Sequence, residues 1–458
     1  MRLLLLSGGS GKRLWPLSND SRSKQFLKIL RNDEGELESM VQRVWGQLQR
    51  SGLAGLTSIA TSRGQIDILY SQIGAEPSYI LEPDRRDTFP AIALSAVYFY
   101  QVLGASLDET MCVLPVDPYV EESFFHNMHK LDEVIQRGEA ELALIGVAPT
   151  HPSEKYGYII PQSERMASER SFRKVERFIE KPREELAAQL ITDGALWNCG
   201  VFAFRLGYLL SIVELLGMPL DFETLTKQYA KLPKGSFDYE VVEKADRIAA
   251  IPYKGYWKDI GTWNTLTEEM KSNVTGRAVV SEGTNNTHVI NELDIPITVL
   301  GASNIVVAAS PDGILVAEKS VSHQVKDWIS QWSDQPMYVE RRWGCYKILD
   351  HKHDEDGQEV LTKMVILYRG SHLSYHVHYK RSEHWVIVSG RGRVVIDGVL
   401  RDVAVGESVQ ISAGTMHSIY AIEQMVFIEV QLGNEIYEED VKRTAFDWDS
   451  IVSISASQ

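Results

Sequence analysis

Apolar runs alternate with helical patterns over the first 265 residues of the chain. Four runs have the length of buried strands, and they lie at 3–6, 58–61, 111–114 and 142–147. Two stretches between them, 91–103 and 123–137, repeat apolar residues with the period of a helix. Because unbroken apolar runs are typical of strands covered on both faces, the pattern predicts an α/β domain over 1–265 with a mostly parallel sheet.

The pattern changes twice in the remainder of the chain. Short β-rich pieces separated by turn residues lie at 279–280, 287–290, 305–308 and 314–317, and they predict a small β-solenoid over 275–325. The last domain, 341–458, is predicted to be all-β from about 341 to 432, with strands at 386–388, 394–396 and 426–430. Asp397-Gly398 is a hairpin signal, and residues 436–450 are expected to form an acidic helix.

Size, composition and charge narrow the class of protein. A chain of 458 residues is too long to fold around one hydrophobic core, so two or three domains are expected. The apolar runs are too short to span a bilayer, so we expect no membrane partner. Three cysteines, Cys112, Cys199 and Cys345, cannot form a disulfide framework, which favours a cytoplasmic location. A net charge of −15 argues against a nucleic-acid partner.

A cluster of basic residues near the N-terminus departs from this acidic background. Its members are Lys12, Arg13, Arg22, Lys24, Lys28 and Arg31. Asp20 is the one acidic residue among them, so the cluster fits a compact anion such as a nucleoside triphosphate. Taken alone, Arg22, Lys28 and Arg31 are better explained as a solvated basic surface.

A glycine-rich turn follows the first apolar run, and its sequence over 6–18 is LSGGSGKRLWPLS. Backbone N–H groups at Gly8, Gly9 and Gly11 can approach an anion closely because glycine has no side chain. The spacing excludes a Walker A loop, since Arg13 stands where that loop needs Ser or Thr. It also excludes a dinucleotide fingerprint, since Leu14 stands where that motif needs glycine.

This turn, closed by Ser23-Lys24-Gln25-Phe26, resembles the signature of the sugar-1-phosphate nucleotidyltransferases. Its Trp15-Pro16 variant resembles the mannose-1-phosphate guanylyltransferases. The resemblance implies a Rossmann-like mixed sheet, followed by a short left-handed β-helix over 275–325. It also implies that the turn binds the nucleotide, through residues Leu6, Gly8, Gly9, Gly11 and Lys12.

Two further segments resemble those that carry the family's metal-binding carboxylates. Asp117 ends a Leu-Pro-Val-Asp segment, and Asp259 lies within Trp-Lys-Asp-Ile-Gly-Thr-Trp. The resemblance implies that both bind Mg²⁺, a hard ion that prefers oxygen ligands. Arg13 and Lys24 would stabilise charge on the pyrophosphate leaving group, which completes the expected catalytic set.

Other segments resemble the family's binding motifs. Those assigned to the nucleotide contain Glu82, Arg86 and Thr88. Those assigned to the sugar phosphate contain Gly157, Glu180, Lys181 and Asn198. The chain departs from the family pattern at four positions, which are Asp87, Phe89, Pro118 and Cys199. The first two changes lie near the expected base pocket and leave the nucleotide preference open.

Both cupin motifs are present in the last domain. The first, over 370–390, contributes His376, His378 and Glu383, and the second contributes His417. His376 and His378 are two residues apart, so on a strand they point to the same face. The four residues predict a site with three histidines and one glutamate for a second divalent metal (Zn, Co, Mn or Fe) inside a β-barrel.

This domain also resembles the type II phosphomannose isomerase domain, which is fused to guanylyltransferases in the same order. The segments Arg341-Arg342-Trp343-Gly344 and Arg381-Ser382-Glu383-His384-Trp385 carry the resemblance. Tyr379 and Lys380 replace two of the three consecutive histidines of that family. An isomerase and a structural or regulatory barrel therefore both stay open.

The resemblance implies a homodimeric enzyme that transfers a guanylyl group from GTP to α-D-mannose 1-phosphate, giving GDP-mannose and pyrophosphate. Three alternatives stay open. The same reaction could use another sugar 1-phosphate or nucleotide, or the barrel could add mannose-6-phosphate isomerase activity. The chain could instead be a sugar-nucleotide sensor, although a sensor has no need of both metal carboxylates.

Overall fold

The computed structural model describes residues 1–9, 12–162, 171–329, 331, 335–353 and 357–456. The chain divides into two compact units. The first comprises residues 1–14, 23–273 and 318–326, and the second comprises residues 15–22, 274–317 and 327–458.

Strands and helices alternate in the first unit. Its strands are β1 (Arg2–Ser7), β2 (Leu30–Arg31), β3 (Leu37–Glu38), β4 (Thr57–Ser62), β5 (Ser78–Glu82), β6 (Thr110–Pro115), β7 (Pro118–Val120), β8 (Leu142–Val147), β9 (Tyr158–Pro161), β10 (Arg173–Ile179), β11 (Leu196–Arg205), β12 (Ile248–Tyr253) and β13 (Trp257–Asp259). Its helices are α1 (Met40–Arg50), α2 (Ile66–Ile73), α3 (Thr88–Gln101), α4 (Asn127–Gln136), α5 (Glu184–Thr192), α6 (Leu206–Leu215), α7 (Phe222–Gln228), α8 (Phe237–Glu240) and α9 (Trp263–Thr267).

Nine of these strands form one mixed sheet in the order β5-β4-β1-β6-β11-β8-β12-β10-β9. β1 pairs in parallel with β4 and β6, and β8 pairs in parallel with β12. β11 runs antiparallel between β6 and β8. The mixed sheet that the resemblance implies is confirmed. The mostly parallel sheet that the apolar runs predicted is wrong, because four of the eight neighbouring pairs are antiparallel. The carboxyl ends of β1 and β6 are neighbours, and ligands bind at such ends in open α/β sheets.

The leucine run of β1 alternates between two hydrophobic cores. Leu3 and Leu5 pack into one core with residues of α1 and α4, and Leu4 packs into the other with residues of α3 and α6. All three leucines are fully buried. Because helices cover both faces, this central strand has no side that faces solvent, which accounts for its unbroken apolar sequence.

Most of the second unit is β-structure. Its strands are β14 (Val274–Thr275), β15 (Ala278–Val280), β16 (His288–Asn291), β17 (Ile297–Val299), β18 (Ile305–Ser310), β19 (Gly313–Glu318), β20 (Tyr338–Arg341), β21 (Gly344–His353), β22 (Glu359–Leu367), β23 (Tyr375–Val377), β24 (Arg381–Ser389), β25 (Gly392–Ile396), β26 (Val399–Val403), β27 (Ser408–Ile411), β28 (His417–Ala421), β29 (Met425–Gly433) and β30 (Lys442–Ala445). The remaining helices of the chain are α10 (Val325–Ile329) and α11 (Trp448–Ala456). None of the helices in the described ranges has the length and apolar character needed to cross a lipid bilayer.

Parallel pairs connect alternate strands between residues 274 and 310. β14 pairs with β16 and β16 with β18, while β15 pairs with β17. Val289, Val299 and Val307 pack together between these two sets of strands. This arrangement is that of the β-helix expected from the sequence, and its left-handed sense stays a prediction.

Two antiparallel sheets form the C-terminal barrel. Their orders are β20-β21-β22-β29-β24-β27 and β26-β25-β28-β23-β30. The predicted strands at 386–388, 394–396 and 426–430 lie within β24, β25 and β29. Asp397 and Gly398 join β25 to β26 with φ values of 42° and 80°, which is the backbone that a two-residue hairpin requires.

The predicted acidic helix at 436–450 is wrong. This stretch contains β30, and α11 begins only at its end. The Asp440 carboxylate accepts the backbone N–H groups of Tyr379 and Lys380 at 3.1 Å and 3.0 Å. Because this carboxylate binds a neighbouring loop, the acidic residues belong to a turn before an edge strand instead of a helix surface.

Residues 15–22, the second half of the glycine-rich turn, belong to the second unit. Arg22 is only 7% exposed, and its guanidinium donates to the Glu292 carboxylate at 2.7 Å and to the Leu17 carbonyl at 2.7 Å and 3.0 Å. Burial opposes the charge on Arg22, but Glu292 outweighs it and raises the Arg22 pKa. The expectation of a solvated surface is therefore wrong for Arg22, whereas Lys28 is exposed.

Two further contacts hold this half of the turn against the β-helix. Asn19 donates its side-chain amide to Asp312 at 2.7 Å, and the Ser310 hydroxyl donates to the Pro16 carbonyl at 2.6 Å. The turn is thus positioned by residues almost 300 positions later in the sequence, as measured by the separation of 293 between Asn19 and Asp312.

We expect Glu292→Gln to destabilise the protein because it leaves the buried Arg22 guanidinium without its carboxylate. The loss should be about 2 kcal/mol, below the range for fully buried pairs because Glu292 is partly exposed. Glu133→Gln is the matched control, since it removes the exposed partner of Arg137 and should cost less than about 0.5 kcal/mol. Thermal unfolding of the full chain measures both, and equal shifts of the melting temperature would contradict the assignment.

Candidate functional site

Two carboxylates expected to bind metal come together on a two-stranded ribbon of the first unit. Asp117 immediately precedes β7, and Asp259 ends β13. The two strands pair antiparallel, with Asp259 opposite Pro118. The ribbon therefore brings together two acidic residues that are far apart in the sequence.

The Lys24 ammonium lies between these carboxylates. Its Nζ is 2.5 Å from Asp117 Oδ2 and 3.8 Å from Asp259 Oδ1. Burial opposes the charge on Lys24, but the two carboxylates outweigh it and raise the Lys24 pKa, while the positive charge of Arg13 acts weakly against them. A Cβ at Gly261 would lie 3.0 Å from Asp259 Oδ1 and 3.2 Å from Lys24 Nζ, so glycine leaves room for this ion cluster.

A cavity of about 200 Å³ adjoins the ion cluster. The expected site residues that line it are Lys24, Asp117, Gly157, Glu180, Asn198 and Asp259. A Cβ at Gly157 would lie 2.5 Å from Glu180 Oε2 and 2.6 Å from the Phe178 ring, so a side chain there would fill part of the space. The structure thus brings three of the four expected catalytic residues and three of the four expected sugar-phosphate residues to one cavity, whereas Arg13 and Lys181 are not part of its lining.

An ion pair and hydrogen bonds orient the polar side chains beside this cavity. The Lys181 ammonium contacts one oxygen of Glu180, while the other oxygen, Oε2, is buried without a hydrogen-bond partner. The Asn198 side chain donates to Asp238 at 2.7 Å and accepts the Gly200 N–H at 3.0 Å. The Asn198 amide is therefore oriented, and Glu180 keeps an acceptor for a donor group that enters the cavity.

Asp238 is a residue of this cavity that the sequence analysis missed. Burial, with a smaller contribution from the neighbouring Glu180 carboxylate, raises the Asp238 pKa to about 7. It lies on α8, a short helix that Ser236 caps. Nothing in this local sequence separates Asp238 from an ordinary helix carboxylate, because its bond to Asn198 is made across 40 positions.

Three of the residues expected on the nucleotide side, Glu82, Arg86 and Thr88, form hydrogen bonds with one segment of the chain, 229–237. The hydrogen bonds run from the Tyr229 hydroxyl to Glu82 (2.9 Å), from Arg86 to the Leu232 carbonyl (3.1 Å) and from the Phe237 N–H to the Thr88 hydroxyl (2.8 Å). Burial raises the pKa of Glu82 to about 7. A Cβ at Gly8 would lie 3.7 Å from Glu82 Oε1, so the glycine-rich turn adjoins this group.

The glycine-rich turn itself presents exposed backbone. Gly8 and Gly9 are exposed, and Gly9 has a φ of +107°, a region that favours glycine. The Leu6 carbonyl accepts the Val116 N–H at 3.1 Å, which joins the turn to the end of β6. The structure places Lys12 half-buried and Arg13 exposed, and Gly11 lies outside the described residues.

Three of the departures from the family pattern have structural explanations. The Cys199 thiol is buried, donates to the Ile145 carbonyl at 3.3 Å, and has a pKa that burial raises to about 12. Phe89 is buried in a core of the first unit. Asp87 is exposed, and its carboxylate accepts the Thr88 N–H at the start of α3.

Three histidines of the second unit bring their ring nitrogens within 4.8 Å of one another. His376 lies on β23 opposite His417 on β28, and His378 follows β23. Nδ1 of each ring faces a backbone carbonyl, and these carbonyls belong to Ser374, Asp440 and Thr415. Since a carbonyl only accepts, each Nδ1 carries the proton and each Nε2 is left with a lone pair, as metal-binding histidines require.

Glu383 lies beside these histidines and is held by its neighbours. Its oxygens are 3.3 Å from Nε2 of His378 and 3.6 Å from Nε2 of His417. Its donors are Arg381 at 3.1 Å, Trp385 at 3.1 Å and Gln431 at 3.2 Å. All four residues expected at the second metal therefore lie together, and His417 Nε2 is buried without a hydrogen-bond partner.

Family models match both halves of the chain. Residues 2–275 match the model described as nucleotidyl transferase, and residues 331–446 match the model described as mannose-6-phosphate isomerase C-terminal.

Two relatives align with the chain over nearly their whole length. Xanthan biosynthesis protein XanB of Xanthomonas campestris pathovar campestris is 30% identical, over 96% of this chain and 97% of XanB. Mannose-1-phosphate guanylyltransferase RfbM of Salmonella typhimurium is 29% identical, over 96% of each chain. A crystal structure from Thermus thermophilus, described as mannose-1-phosphate geranyltransferase, is 28% identical with a TM-score of 0.59 over 73% of this chain and 99% of that one. The chain therefore belongs to the nucleotidyl transferase family, and its residues 331–446 match the mannose-6-phosphate isomerase C-terminal model.

Proposed function

We propose that the chain transfers the guanylyl group of GTP to α-D-mannose 1-phosphate, which yields GDP-mannose and pyrophosphate. The observation that carries the proposal is the cluster of Lys24, Asp117 and Asp259 beside a cavity into whose wall Glu180 and Asn198 are built. Similarity to RfbM, a mannose-1-phosphate guanylyltransferase by name, supports the choice of sugar and nucleotide.

The reaction is a displacement at the α-phosphorus of the nucleotide. A phosphate oxygen of the sugar 1-phosphate forms the new P–O bond, and the bond from the α-phosphorus to the bridging oxygen breaks as pyrophosphate leaves. The protein forms no covalent bond in such a step, so its task is to hold two polyanions in line. Lys24 and Arg13 offset the negative charge on the triphosphate, and Lys181 binds the sugar phosphate.

Asp117 and Asp259 fit a divalent cation. The Lys24 ammonium between their oxygens marks this place as favourable to positive charge, and carboxylate oxygens are the ligands that Mg²⁺ prefers. When bound, Mg²⁺ would neutralise charge on the phosphate oxygens of the nucleotide.

The cavity of about 200 Å³ beside Lys24, Asp117 and Asp259, named the sugar cavity from here on, offers complementary groups for a hexose. Glu180 Oε2 is a buried acceptor without a partner, so a sugar hydroxyl would supply the donor that it lacks. Asn198, oriented by Asp238, offers a second polar group, and Gly157 leaves the space that a ring needs.

We expect the protein to act as a homodimer, and this stays a prediction.

A second candidate function is the isomerisation of mannose 6-phosphate to fructose 6-phosphate in the barrel. The observation that favours it is the cluster of three histidines, in which each Nδ1 faces a backbone carbonyl. Nε2 of His417 has no partner, and Nε2 of His378 accepts a hydrogen bond from Arg381 at 3.1 Å that a metal would replace. When bound, a divalent metal would polarise the sugar carbonyl during proton transfer between adjacent carbons.

Nucleotide choice is the direct test of the proposal. Pyrophosphate release is measured with GTP, ATP, UTP and dTTP, each paired with several sugar 1-phosphates. We expect the highest kcat/KM with GTP and mannose 1-phosphate. A higher value for another pair would change the substrates and keep the reaction class, and no release with any pair would favour the sugar-nucleotide sensor.

Asp117→Asn and Asp259→Asn should each lower the rate of pyrophosphate release at least about a hundredfold, because each removes a charge that a catalytic cation needs. Both variants keep a side chain of similar shape, so their melting temperatures should stay close to that of the parent. Asp193→Asn, at an exposed position after α5, is the matched control and should retain the parent rate. Near-normal turnover of either site variant at saturating Mg²⁺ would contradict the assignment.

Gly157→Ala should raise the KM for mannose 1-phosphate at least tenfold and leave the KM for GTP within twofold. The added methyl group would meet Glu180 and the Phe178 ring, which narrows the sugar cavity alone. Gly64→Ala is the control, since no atom lies within 4 Å of a Cβ at that position. Equal increases in both KM values would place Gly157 outside the sugar subsite.

Full-length protein supplied with Zn²⁺, Co²⁺, Mn²⁺ or Fe²⁺ should bind one equivalent of metal in the barrel and convert mannose 6-phosphate. His378→Ala should abolish both binding and conversion, while His351→Ala, outside the cluster, should keep them. Asp117→Asn should leave the isomerase rate unchanged. Metal binding without conversion would assign a structural or regulatory role to the barrel.

A further inference from the structure

A second cavity, of about 630 Å³, lies within the first unit beside the sugar cavity. The two cavities share Lys155, Tyr156, Trp257 and Asp259 as lining residues. Its volume is that of ordinary small-molecule sites. The transfer reaction gives no role to the rest of its lining, which comes mainly from the loop after β8, from the β12–β13 connection, from the segment 262–268 that contains α9, and from residues 319–323.

Aromatic rings form one wall of this second cavity. The Trp197 ring packs against Tyr156 with centroids 4.5 Å apart and against His151 with centroids 5.1 Å apart, and Tyr156 packs against Trp257 at 5.7 Å. The indole N–H groups of Trp197 and Trp257 are both buried without a hydrogen-bond acceptor. A buried indole N–H normally has an acceptor, and both of these tryptophans line the second cavity.

Lysines give the second cavity a positive charge. Lys258 is paired with Glu268 at 2.5 Å and with Glu269 at 2.7 Å, so the carboxylate of Glu268 in the lining is already neutralised. The ammonium groups of Lys155 and Lys254 are exposed and form no ion pair with any residue that the structure describes. Lys155 and Lys254 therefore provide two cations in the lining of the second cavity that can bind an anion.

We propose that the second cavity binds a phosphorylated sugar distinct from the sugar 1-phosphate that reacts. The aromatic rings would pack against the apolar face of the sugar ring, and the two indole N–H groups would donate to its hydroxyls. Lys254 and Lys155 would bind the phosphate. Because Tyr156, Trp257 and Asp259 also belong to the sugar cavity, an occupant of the second cavity acts as an effector of the transfer reaction.

The test is calorimetric binding of mannose 6-phosphate, mannose and inorganic phosphate to the full chain. His417→Ala and a chelator prevent binding at the histidine cluster, and saturating mannose 1-phosphate fills the smaller cavity. We expect mannose 6-phosphate to bind at least tenfold more tightly than mannose or phosphate. Lys254→Met should weaken that binding at least tenfold, and Trp197→Phe, which removes the N–H and keeps a ring, should weaken it several-fold.

Lys227→Met, at an exposed position of α7, is the matched control and should leave binding unchanged. Phosphate that binds as tightly as the sugar phosphate would reduce the site to an anion pocket and overturn the proposal. Binding that is unchanged in Lys254→Met, or that is lost when mannose 1-phosphate is present, would overturn it as well. Lys254→Met should keep the transfer rate without effector within twofold, so failure here is distinguishable from failure of the proposed function.

Discussion

Mutual attraction between one ammonium and two carboxylates is the interaction on which the first unit's site depends. Asp117 and Asp259 lie on neighbouring strands of a ribbon, and without a cation their charges would repel each other. Lys24 supplies that cation at 2.5 Å and 3.8 Å. The same geometry prepares the site for a metal, because the carboxylates already converge on positive charge before any ligand enters.

The segment between Arg13 and Lys24 is held by long-range contacts of its own within the second unit. Lys24 and Arg13 lie at the two ends of residues 15–22, and those residues are held by hydrogen bonds to the β-helix. Arg22 adds a buried ion pair with Glu292. Within the second unit, residues 15–22 are therefore fixed to the β-helix.

Local and periodic signals predicted most of the fold, and contacts between distant segments account for what they missed. The leucine run of β1 and the Asp397-Gly398 turn are each determined by a few adjacent residues, so the sequence predicted them. The burial of Arg22 depends on Glu292, 270 positions away, and no neighbouring residue announces it. The helix predicted at 436–450 is wrong for the same reason, since the Asp440 carboxylate binds backbone N–H groups 60 and 61 positions earlier.

The candidate sites share one feature, which is a buried polar atom without a hydrogen-bond partner. Such an atom costs about 1–3 kcal/mol of folding free energy, so a folded protein retains it where a ligand can supply the missing bond. Glu180 Oε2, the indole nitrogens of Trp197 and Trp257, and His417 Nε2 each belong to a residue beside a cavity or a histidine cluster. Gln47 Oε1 is unpartnered too, yet Gln47 lies on α1 and lines neither cavity. An unpartnered atom is therefore informative only where a cavity or a convergent set of ligand atoms coincides with it, and that coincidence separates the proposed sites from the rest of the interior.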